Sequence, residues 1–256
     1  MDLGLAGRTA VVTGASKGIG RAVAEGLAAE GVSLHLAARS QERLAGVRDA
    51  INAKWGVQVT AHAVDLATKE GVARLAEEAI SADILVNNAG AIPAGDLAAV
   101  SDEAWRAAWD LKVFGFVNLI RRFYPAMCER RAGVIVNVIG AGGDRVRAGY
   151  IAGAGGNAAL MGLTRALGAV SIDQGVRVVG VNPGAVETDR LVEMARVTAQ
   201  AKFGDPGRWR ETLKGAPADR AGRPEEIADL VIYLASDRAS WITGTIVTID
   251  GGGTQR

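Results

Sequence analysis

The residues best suited to bind a phosphate form a glycine-rich turn near the start of the chain. The segment TAVVTGASKGIG contains a short apolar run, three spaced glycines and the start of an amphipathic helix. Gly14 suits the positive φ of a sharp turn, Gly18 lets a pyrophosphate approach the backbone, and Gly20 lets the helix pack closely. Free N–H groups at the helix N-terminus would bind the phosphate. The candidate binding residues are Gly14, Ser16, Lys17, Gly18, Ile19 and Gly20. The alternative is a glycine-rich turn without a ligand.

A basic residue follows the second apolar run. Enzymes that use NAD carry an acidic side chain at this place, which holds the ribose 2′-hydroxyl. Arg39 stands here instead, after Ala38, and a guanidinium is suited to a doubly charged phosphate. With Ser16 and Lys17, Arg39 therefore predicts a 2′-phosphate site and NADP as the cofactor. The alternative is that Lys17 and Arg39 are solvated charges.

Seven short apolar segments alternate with longer segments of helical periodicity. The predicted strands are residues 8–13, 33–38, 57–64, 84–87, 134–138, 177–181 and 245–249. Continuous apolar runs such as GVIVNVIG are typical of parallel strands that are buried on both faces. We therefore expect an α/β fold with a parallel sheet and helices on each side.

The chain is predicted to form a single domain over residues 1–256. All-α/β folds commonly reach about 250 residues as one unit, and no Pro-, Ser- or Gly-rich linker or internal repeat divides this sequence. Residues 188–223 break the alternation, because they contain no apolar strand and their helical patterns are interrupted by glycine and proline. A long insertion of this kind is typical of a lid over a substrate.

Composition and charge exclude several function classes. The chain is 49% hydrophobic and carries 29 basic against 28 acidic side chains, a net charge of +1, so we expect no nucleic-acid or anionic membrane partner. Cys128 is the only cysteine, and His35 and His62 are the only histidines, which predicts no metal site and no Ser-His-Asp triad. Met1 to Leu5 show no basic segment followed by an apolar core, and no apolar run reaches the roughly 18 residues that span a bilayer, so we expect neither a secretory leader nor a membrane span. We therefore expect a cytoplasmic protein.

Several longer motifs occur in the order and spacing of one protein family. They are TGASKGIG at 13–20, VDL at 64–66, NNAG at 87–90, VNPGAVETD at 181–189 and GRPEEIADLVIYLASDRASWITGTIVTIDGG at 222–252. With these motifs the chain resembles the classical short-chain dehydrogenases/reductases along its whole length. The resemblance implies a seven-stranded, doubly wound, Rossmann-like sheet, hydride transfer between a nicotinamide cofactor and a carbonyl or alcohol, and a homotetramer.

The resemblance also implies cofactor contacts beyond the glycine-rich turn. Asp65 and Leu66 would flank the adenine, and Asn87, Ala89 and Gly90 would line a ribose. The residues implied to hold the nicotinamide carboxamide are Pro183, Gly184, Val186 and Thr188. The NNAG turn also follows a predicted strand, where doubly wound sheets bind ligands. The alternatives are a helix N-cap for Asp65 and a plain turn for NNAG.

The catalytic pattern of the family is missing from this chain. The family uses a Tyr, a Lys four residues later, a Ser and an Asn. Alignment on NAALMGLTRALG, which resembles the family's segment just after its Lys, places Gly153 at the Tyr position and Asn157 at the Lys position. Counting along VIVNVIGAGG puts Gly140 at the Ser position, and in WDLKVFGFVN Lys112 stands at the Asn position. Loss of a general acid costs about 10²- to 10⁴-fold in rate. The glycines around Gly153 predict either close packing or space for an unusual substrate.

Three side chains are candidates for the missing chemistry. Lys112 and Asn157 have exchanged residue types, so we expect the Lys112 stem to extend into the vacated ammonium site; the alternative is a lysine that points to solvent or to a subunit interface. Tyr150 is the nearest phenol to Gly153 and is the candidate general acid, with simple packing as its alternative. The candidate catalytic residues are Lys112, Tyr150 and Asn157.

Three function classes are compatible with these motifs. The predicted one is an NADP(H)-dependent oxidoreductase that acts on a small-molecule carbonyl or alcohol with non-standard catalytic residues. The second is an NADP-binding protein without catalytic activity that pairs with an active subunit. The third is a lyase or isomerase on the same scaffold, in a pocket lined by Lys112, Asp144 and Arg147.

Overall fold

One seven-stranded parallel sheet forms the centre of the computed structural model, which describes residues 2–256. Its strands are β1 (Thr9–Thr13), β2 (Ser33–Ala38), β3 (Val59–Ala63), β4 (Ile84–Asn87), β5 (Gly133–Val138), β6 (Val176–Pro183) and β7 (Ile246–Ile249). The strand order is β3-β2-β1-β4-β5-β6-β7, and each neighbouring pair is parallel. This is a doubly wound sheet, so the predicted fold class is confirmed. Each strand end lies within two residues of its predicted position.

Helices cover both faces of the sheet. They are α1 (Gly18–Ala29), α2 (Gln41–Trp55), α3 (Lys69–Ala79), α4 (Asp102–Trp109), α5 (Gly115–Glu129), α6 (Ile151–Ser171), α7 (Asp189–Phe203) and α8 (Pro224–Ala235). A π-helical segment, Asp110–Phe114, joins α4 to α5. Helices α1, α2 and α8 pack in one apolar cluster, while α3, α5 and α6 pack in the cluster on the opposite face. Within residues 2–256, no helix combines the length and apolarity needed to cross a membrane.

Successive residues of a strand enter opposite cores. Ala10 and Val12 of β1 pack with α1 and α8, whereas Val11 packs with α3 and α5. All three side chains are fully buried. Because strand side chains alternate between the two faces, a strand covered by helices on both sides needs an apolar residue at every position. This requirement explains the continuous apolar runs of the sequence.

The chain changes winding direction next to β1, which lies between β2 and β4. In sheets of this kind, ligands bind in the crevice beyond the carboxyl ends of the strands at this switch point. Residues 188–223 are described throughout and contain α7 and two 3₁₀ segments, Pro206–Leu213 and Pro217–Asp219, but no strand. Their role as a lid remains a prediction.

Candidate active site

The glycine-rich turn lies at the carboxyl end of β1. Gly14 and Gly18 have φ angles of +66° and +57°, which residues with a side chain seldom adopt. A Cβ atom on Gly20 would lie 2.4 Å from the carbonyl oxygen of Gly14 and 2.5 Å from the side-chain nitrogen of Asn88. The positive φ predicted for Gly14 and the close packing predicted for Gly20 are confirmed.

The N-terminus of α1 differs from those of other helices around the site. The N-cap residues of α2, α3 and α7 are Ser40, Thr68 and Thr188, whose hydroxyl oxygens each accept a hydrogen bond from a backbone N–H of the first turn. Helix α1 follows Lys17, whose side chain makes no capping hydrogen bond, and its first turn contains no acidic residue. Its N–H groups and the positive end of its dipole are therefore free to bind an anion.

Three basic side chains lie around this helix terminus. Lys17, Arg39 and Arg43 are exposed, line the same cavity and form no ion pair with any of residues 2–256. The sequence reasoning missed Arg43, although the Ser40 cap signals a helix start that places residue 43 in the first turn of α2. A group of cations without acidic partners is suited to bind phosphates.

These groups line a cavity of about 880 Å³ along the carboxyl ends of β1 to β6. The volume lies in the upper part of the range of about 300–1,000 Å³ that is typical of ligand sites. The predicted residues that line it are Gly14, Ser16, Lys17, Gly18, Ile19, Arg39, Leu66, Ala89, Gly90, Lys112, Tyr150, Pro183, Gly184, Val186 and Thr188. The structure therefore brings most of the predicted cofactor residues to one cavity.

Three predicted cofactor residues, Gly20, Asp65 and Asn87, do not line this cavity. Gly20 acts instead through the packing of α1. The exposed carboxylate of Asp65 accepts a hydrogen bond from the backbone N–H of Ala67 at 3.0 Å, in the turn before α3. Thr68 is the N-cap of α3, so the alternative that Asp65 is a helix cap is wrong.

Asn87 lies inside the sheet. It is the last residue of β4, it is fully buried, and its amide donates a hydrogen bond to the side-chain oxygen of Asn137 at 3.0 Å, in register on β5. The next residue, Asn88, lines the cavity, and its backbone N–H donates to the Thr13 hydroxyl at 2.8 Å. The prediction for Asn87 is therefore corrected: the asparagine that reaches the cavity is Asn88, because it is the first residue beyond the strand.

The turn after β6 lies opposite the glycine-rich turn. A Cβ atom on Gly184 would lie 2.6 Å from Cβ of Asp250, so only glycine allows this close approach. The methyl group of Thr188 lies 3.1 Å from the position that a Cβ atom on Gly18 would take. The two turns thus come into contact and leave the elongated cavity between them.

Lys112 lies in the wall of the cavity, on the π-helical segment. Such distortions are frequent at functional sites. The residue is only 7% exposed, and its Nζ donates a hydrogen bond to the Val138 carbonyl oxygen at 2.7 Å and lies 4.4 Å from the centre of the Phe116 ring. No carboxylate of residues 2–256 forms an ion pair with it. Burial lowers the pKa of Lys112 to about 7. The alternative that Lys112 points to solvent is wrong.

The ring of Tyr150 fills the space beside Gly153. Tyr150 immediately precedes α6, and a Cβ atom on Gly153 would lie 2.0 Å from Cζ of the tyrosine. Gly153 therefore packs closely against a neighbour and does not open space for a substrate. Burial raises the pKa of the Tyr150 phenol, while the positive charge of Arg190 acts in the opposite direction.

Arg190 is a cavity residue that the sequence reasoning missed. Its guanidinium donates a hydrogen bond to the Ile92 carbonyl oxygen and lines the same cavity as Tyr150. Its only sequence signal was its place two residues after the Thr188 helix cap. The structure thus puts a cation, the Arg190 guanidinium, close enough to the phenol to affect its pKa.

Asn157 lies close to the same strand end as Lys112. It is 3% exposed, and its Nδ2 donates a hydrogen bond to the Gly140 carbonyl oxygen at 3.3 Å. Lys112 and Asn157 therefore bind carbonyl groups two residues apart, at the end of β5. The Oδ1 atom of Asn157 is buried and has no hydrogen-bond partner within residues 2–256. It is an acceptor available for a further donor.

A second cavity of about 670 Å³ adjoins the first. The residues that line both cavities are Ile139, Gly140, Tyr150, Pro183, Gly184 and Ala185. Asn157 and Arg147 line the second cavity and Lys112 the first, while Asp144 lines neither, because its carboxylate accepts a hydrogen bond from Asn182 at 2.8 Å. The pocket of Lys112, Asp144 and Arg147 expected for a lyase or isomerase is therefore not formed.

Comparison with known proteins identifies the family. A family model described as enoyl-(acyl carrier protein) reductase matches residues 14–254. Oxidoreductase UcpA of Salmonella typhimurium is 36% identical over 256 residues, which cover 98% of this chain and 95% of UcpA. The structure of L-sorbose reductase from Gluconobacter frateurii, complexed with NADPH and L-sorbose, covers 100% of both chains with a TM-score of 0.94 and 35% identity.

A solved protein of the short chain dehydrogenase/reductase family also covers 100% of both chains, with a TM-score of 0.85 and 34% identity. The chain belongs to the short-chain dehydrogenase/reductase family, as its motifs predicted. Members of this family are NAD(P)-dependent oxidoreductases.

Proposed function

We propose that this protein is an NADP(H)-dependent oxidoreductase that interconverts a small-molecule carbonyl compound and its alcohol, with Tyr150 as the proton donor and acceptor. The observation that carries the proposal is the position of the Tyr150 ring, which fills the space beside Gly153 in the wall common to the two cavities. A phenol thus stands next to the position where the family carries its tyrosine, although it comes from another place in the chain.

The residues of the cavity fit a phosphorylated dinucleotide. The uncapped N-terminus of α1 and the glycines at 14 and 18 provide N–H groups for the pyrophosphate. Lys17, Arg39 and Arg43 would hold a 2′-phosphate, since they have no acidic partner within residues 2–256. The similar L-sorbose reductase was solved with NADPH, which supports this choice. When bound, the cofactor supplies or accepts the hydride.

Tyr150 would move the proton that accompanies the hydride. Burial raises its pKa, so its hydroxyl is protonated near neutral pH and can donate a proton to the oxygen of a carbonyl as that oxygen gains negative charge. The nearby positive charge of Arg190 favours the phenolate that remains. Tyr150, with Arg190 beside it, could therefore donate a proton during carbonyl reduction and accept one during alcohol oxidation.

Lys112 and Asn157 would take the exchanged roles of the ammonium and amide groups of the family. The Nζ of Lys112 has one acceptor, the Val138 carbonyl, so two of its possible donor positions are free for a ribose hydroxyl or a water. The unpaired Oδ1 of Asn157 would accept a hydrogen bond from a water that also contacts Lys112. Because burial lowers the pKa of Lys112 to about 7, this arrangement places a positive charge beside the catalytic end of the cavity only when the amine is protonated, at and below that pH.

The remaining predictions concern the surroundings of the site. We propose that the single domain acts in the cytoplasm as a homotetramer and that residues 188–223 close over the substrate. Residues of α7, among them Leu191, Met194 and Thr198, line the cavity, which supports the proposal that residues 188–223 form a lid.

Phe114 and Val170 are 50% and 56% exposed, and exposed apolar side chains of this kind support the proposal of a subunit interface that would bury them.

The test is an assay of purified protein with NADPH against a panel of aldehydes and ketones, followed by nicotinamide absorbance and by chromatography of each compound. Oxidation of NADPH with formation of the matching alcohol is expected. Tight NADPH binding without oxidation of any compound would favour the inactive, partner-binding alternative. Loss of a compound at constant absorbance would favour a lyase or isomerase.

A further inference from the structure

The second cavity carries an excess of positive charge beside Tyr150. Its acidic lining residue is Asp250, and its basic lining residues are Arg145, Arg147 and Arg256. The Asp250 carboxylate accepts hydrogen bonds from the backbone N–H groups of Gly252 at 2.8 Å and Thr254 at 2.6 Å. It is thus held within its own turn. The three arginines therefore outnumber the one carboxylate among the side chains that line the cavity.

Two of these arginines belong to the loop that positions the phenol. The carbonyl oxygen of Arg147 accepts a hydrogen bond from the backbone N–H of Tyr150 at 3.0 Å, so both residues lie in one tight turn. The Nη1 of Arg145 donates to the Gly253 carbonyl oxygen at 2.5 Å, which fixes the loop at the edge of the cavity. Neither guanidinium forms an ion pair with a carboxylate of residues 2–256.

The wall between the two cavities has no side chain at one key position. Gly140 lines both cavities and has a φ of +132°, where a residue with a side chain would be strained. A substrate that presents its carbonyl group to Tyr150 can therefore extend past Gly140 into the second cavity. The planar fork of a guanidinium binds a carboxylate or phosphate through two parallel hydrogen bonds.

We propose that the second cavity binds an oxyanion group of the substrate, a carboxylate or a phosphate, with Arg147 as the main contact and Arg145 as its support. The inference rests on the proposed function, because the reaction at Tyr150 fixes which end of the substrate enters this cavity. It narrows the substrate class to carbonyl compounds or alcohols that carry a negative charge a few bonds from the reacting carbon.

The kinetic test compares matched pairs of probes: 4-oxopentanoate with its methyl ester, and dihydroxyacetone phosphate with dihydroxyacetone. The wild-type protein is expected to favour the anion of at least one pair about tenfold or more in kcat/KM, and the favoured pair tells whether a carboxylate or a phosphate is bound. Arg147→Gln should raise KM for that anion about tenfold and change the neutral compound less than about twofold. The KM of Arg147→Lys for that anion should lie between the values of the wild-type protein and of Arg147→Gln.

Arg121→Gln is the matched control, since Arg121 is an exposed residue of α5 that lines neither cavity. It should leave both members of each pair unchanged. Equal kcat/KM values for the anion and its neutral partner in both pairs would overturn the proposal while leaving the oxidoreductase function intact.

A binding measurement separates failure of the cavity proposal from failure of the proposed function. Malonate and inorganic phosphate are titrated by calorimetry into protein saturated with NADP⁺. If the wild-type protein binds either anion and Arg147→Gln does not, the cavity proposal is supported. If the same protein reduces no carbonyl compound, the oxidoreductase function is rejected while the cavity proposal stands. No binding of either anion to the wild-type protein would overturn the cavity proposal, whatever the activity.

Discussion

The two ends of the cavity are built in different ways. At the phosphate end, where we propose that the dinucleotide binds, backbone N–H groups exposed by glycines and by the uncapped N-terminus of α1 would hold the pyrophosphate, with the side chains of Lys17, Arg39 and Arg43 beside them. At the catalytic end, the groups are side chains supplied from unexpected positions, because Tyr150 fills the space beside Gly153 and Lys112 reaches the end of β5. A binding site made of backbone N–H groups requires glycine at fixed positions. A site made of side chains can instead use residues from neighbouring positions in the chain. The motif is therefore intact at one end and missing at the other.

The largest effect is expected from the side chain that defines the catalytic end. Tyr150→Phe removes the hydroxyl and leaves the ring in place, so kcat should fall by about 10²- to 10⁴-fold, while the Kd for NADP stays unchanged. Steady-state kinetics on a compound that the panel assay identifies measures both. Tyr124→Phe, on α5 outside both cavities, is the control. Unchanged turnover in Tyr150→Phe would show that Tyr150 only packs.

Gly153→Ala tests whether the position of the ring matters. The new methyl group would lie 2.0 Å from Cζ of Tyr150, so the ring must move. A displacement of about 1 Å can cost up to about 10²-fold in rate, and we expect a fall in kcat of that order with cofactor binding retained. Gly149→Ala is the control, since a Cβ atom there meets nothing within 4 Å. Full activity of Gly153→Ala would contradict the assignment of Tyr150.

At the phosphate end, Arg39→Ala should weaken NADP binding by about 10- to 100-fold, because hydrogen bonds to a charged group contribute about 1.5–3 kcal/mol each. Binding of NAD, which lacks the 2′-phosphate, should change little. Calorimetry with both dinucleotides measures the difference. Arg48→Ala, which removes a partly exposed arginine of α2 outside the cavity, serves as the control. A wild-type protein that prefers NAD would disprove the assignment of this end.

The sequence predicted the backbone of this molecule better than its side-chain contacts. The strands were found because a strand buried on both faces must be apolar throughout, which leaves a local signal. The prediction that Asn87 lines the cavity was wrong, since the asparagine that reaches the cavity is set by the residue at which β4 ends. Tyr150 was identified as the nearest phenol, but its packing on Gly153 arises from the loop before α6 and has no local signal.

The missed cations have a similar cause. Arg43 and Arg190 are charged residues in the first turns of α2 and α7, where a basic side chain is usually solvated. Only the packing of these helices around the crevice brings the two guanidinium groups to the cavity. Sequence spacing therefore predicts which helices begin near the crevice, but not which of their side chains enter it.

The burial of Lys112 at the catalytic end should also make the stability of the protein depend on pH. Burial lowers its pKa from 10.5 to about 7, so between these values the unfolded chain binds one proton more than the folded protein. Between pH 7 and 10.5, this residue should therefore raise the free energy of unfolding by about 1.4 kcal/mol for each unit of increasing pH, a tenfold change in the folding equilibrium. The gain is lost again as the pH falls from 10.5 to about 7. Lys112→Met removes the titrating group and this slope.

Urea unfolding of both proteins at several pH values between about 7 and 10 measures the slope. Lys69→Met is the control, because Lys69 is exposed at the start of α3 and meets solvent in the folded protein as well. If the free energies of unfolding of wild type and Lys112→Met differ by a constant amount over this range, the amine has the same pKa in the folded protein as in the unfolded chain. Water would then reach it, and the catalytic end would be as hydrated as the phosphate end, where exposed cations face solvent.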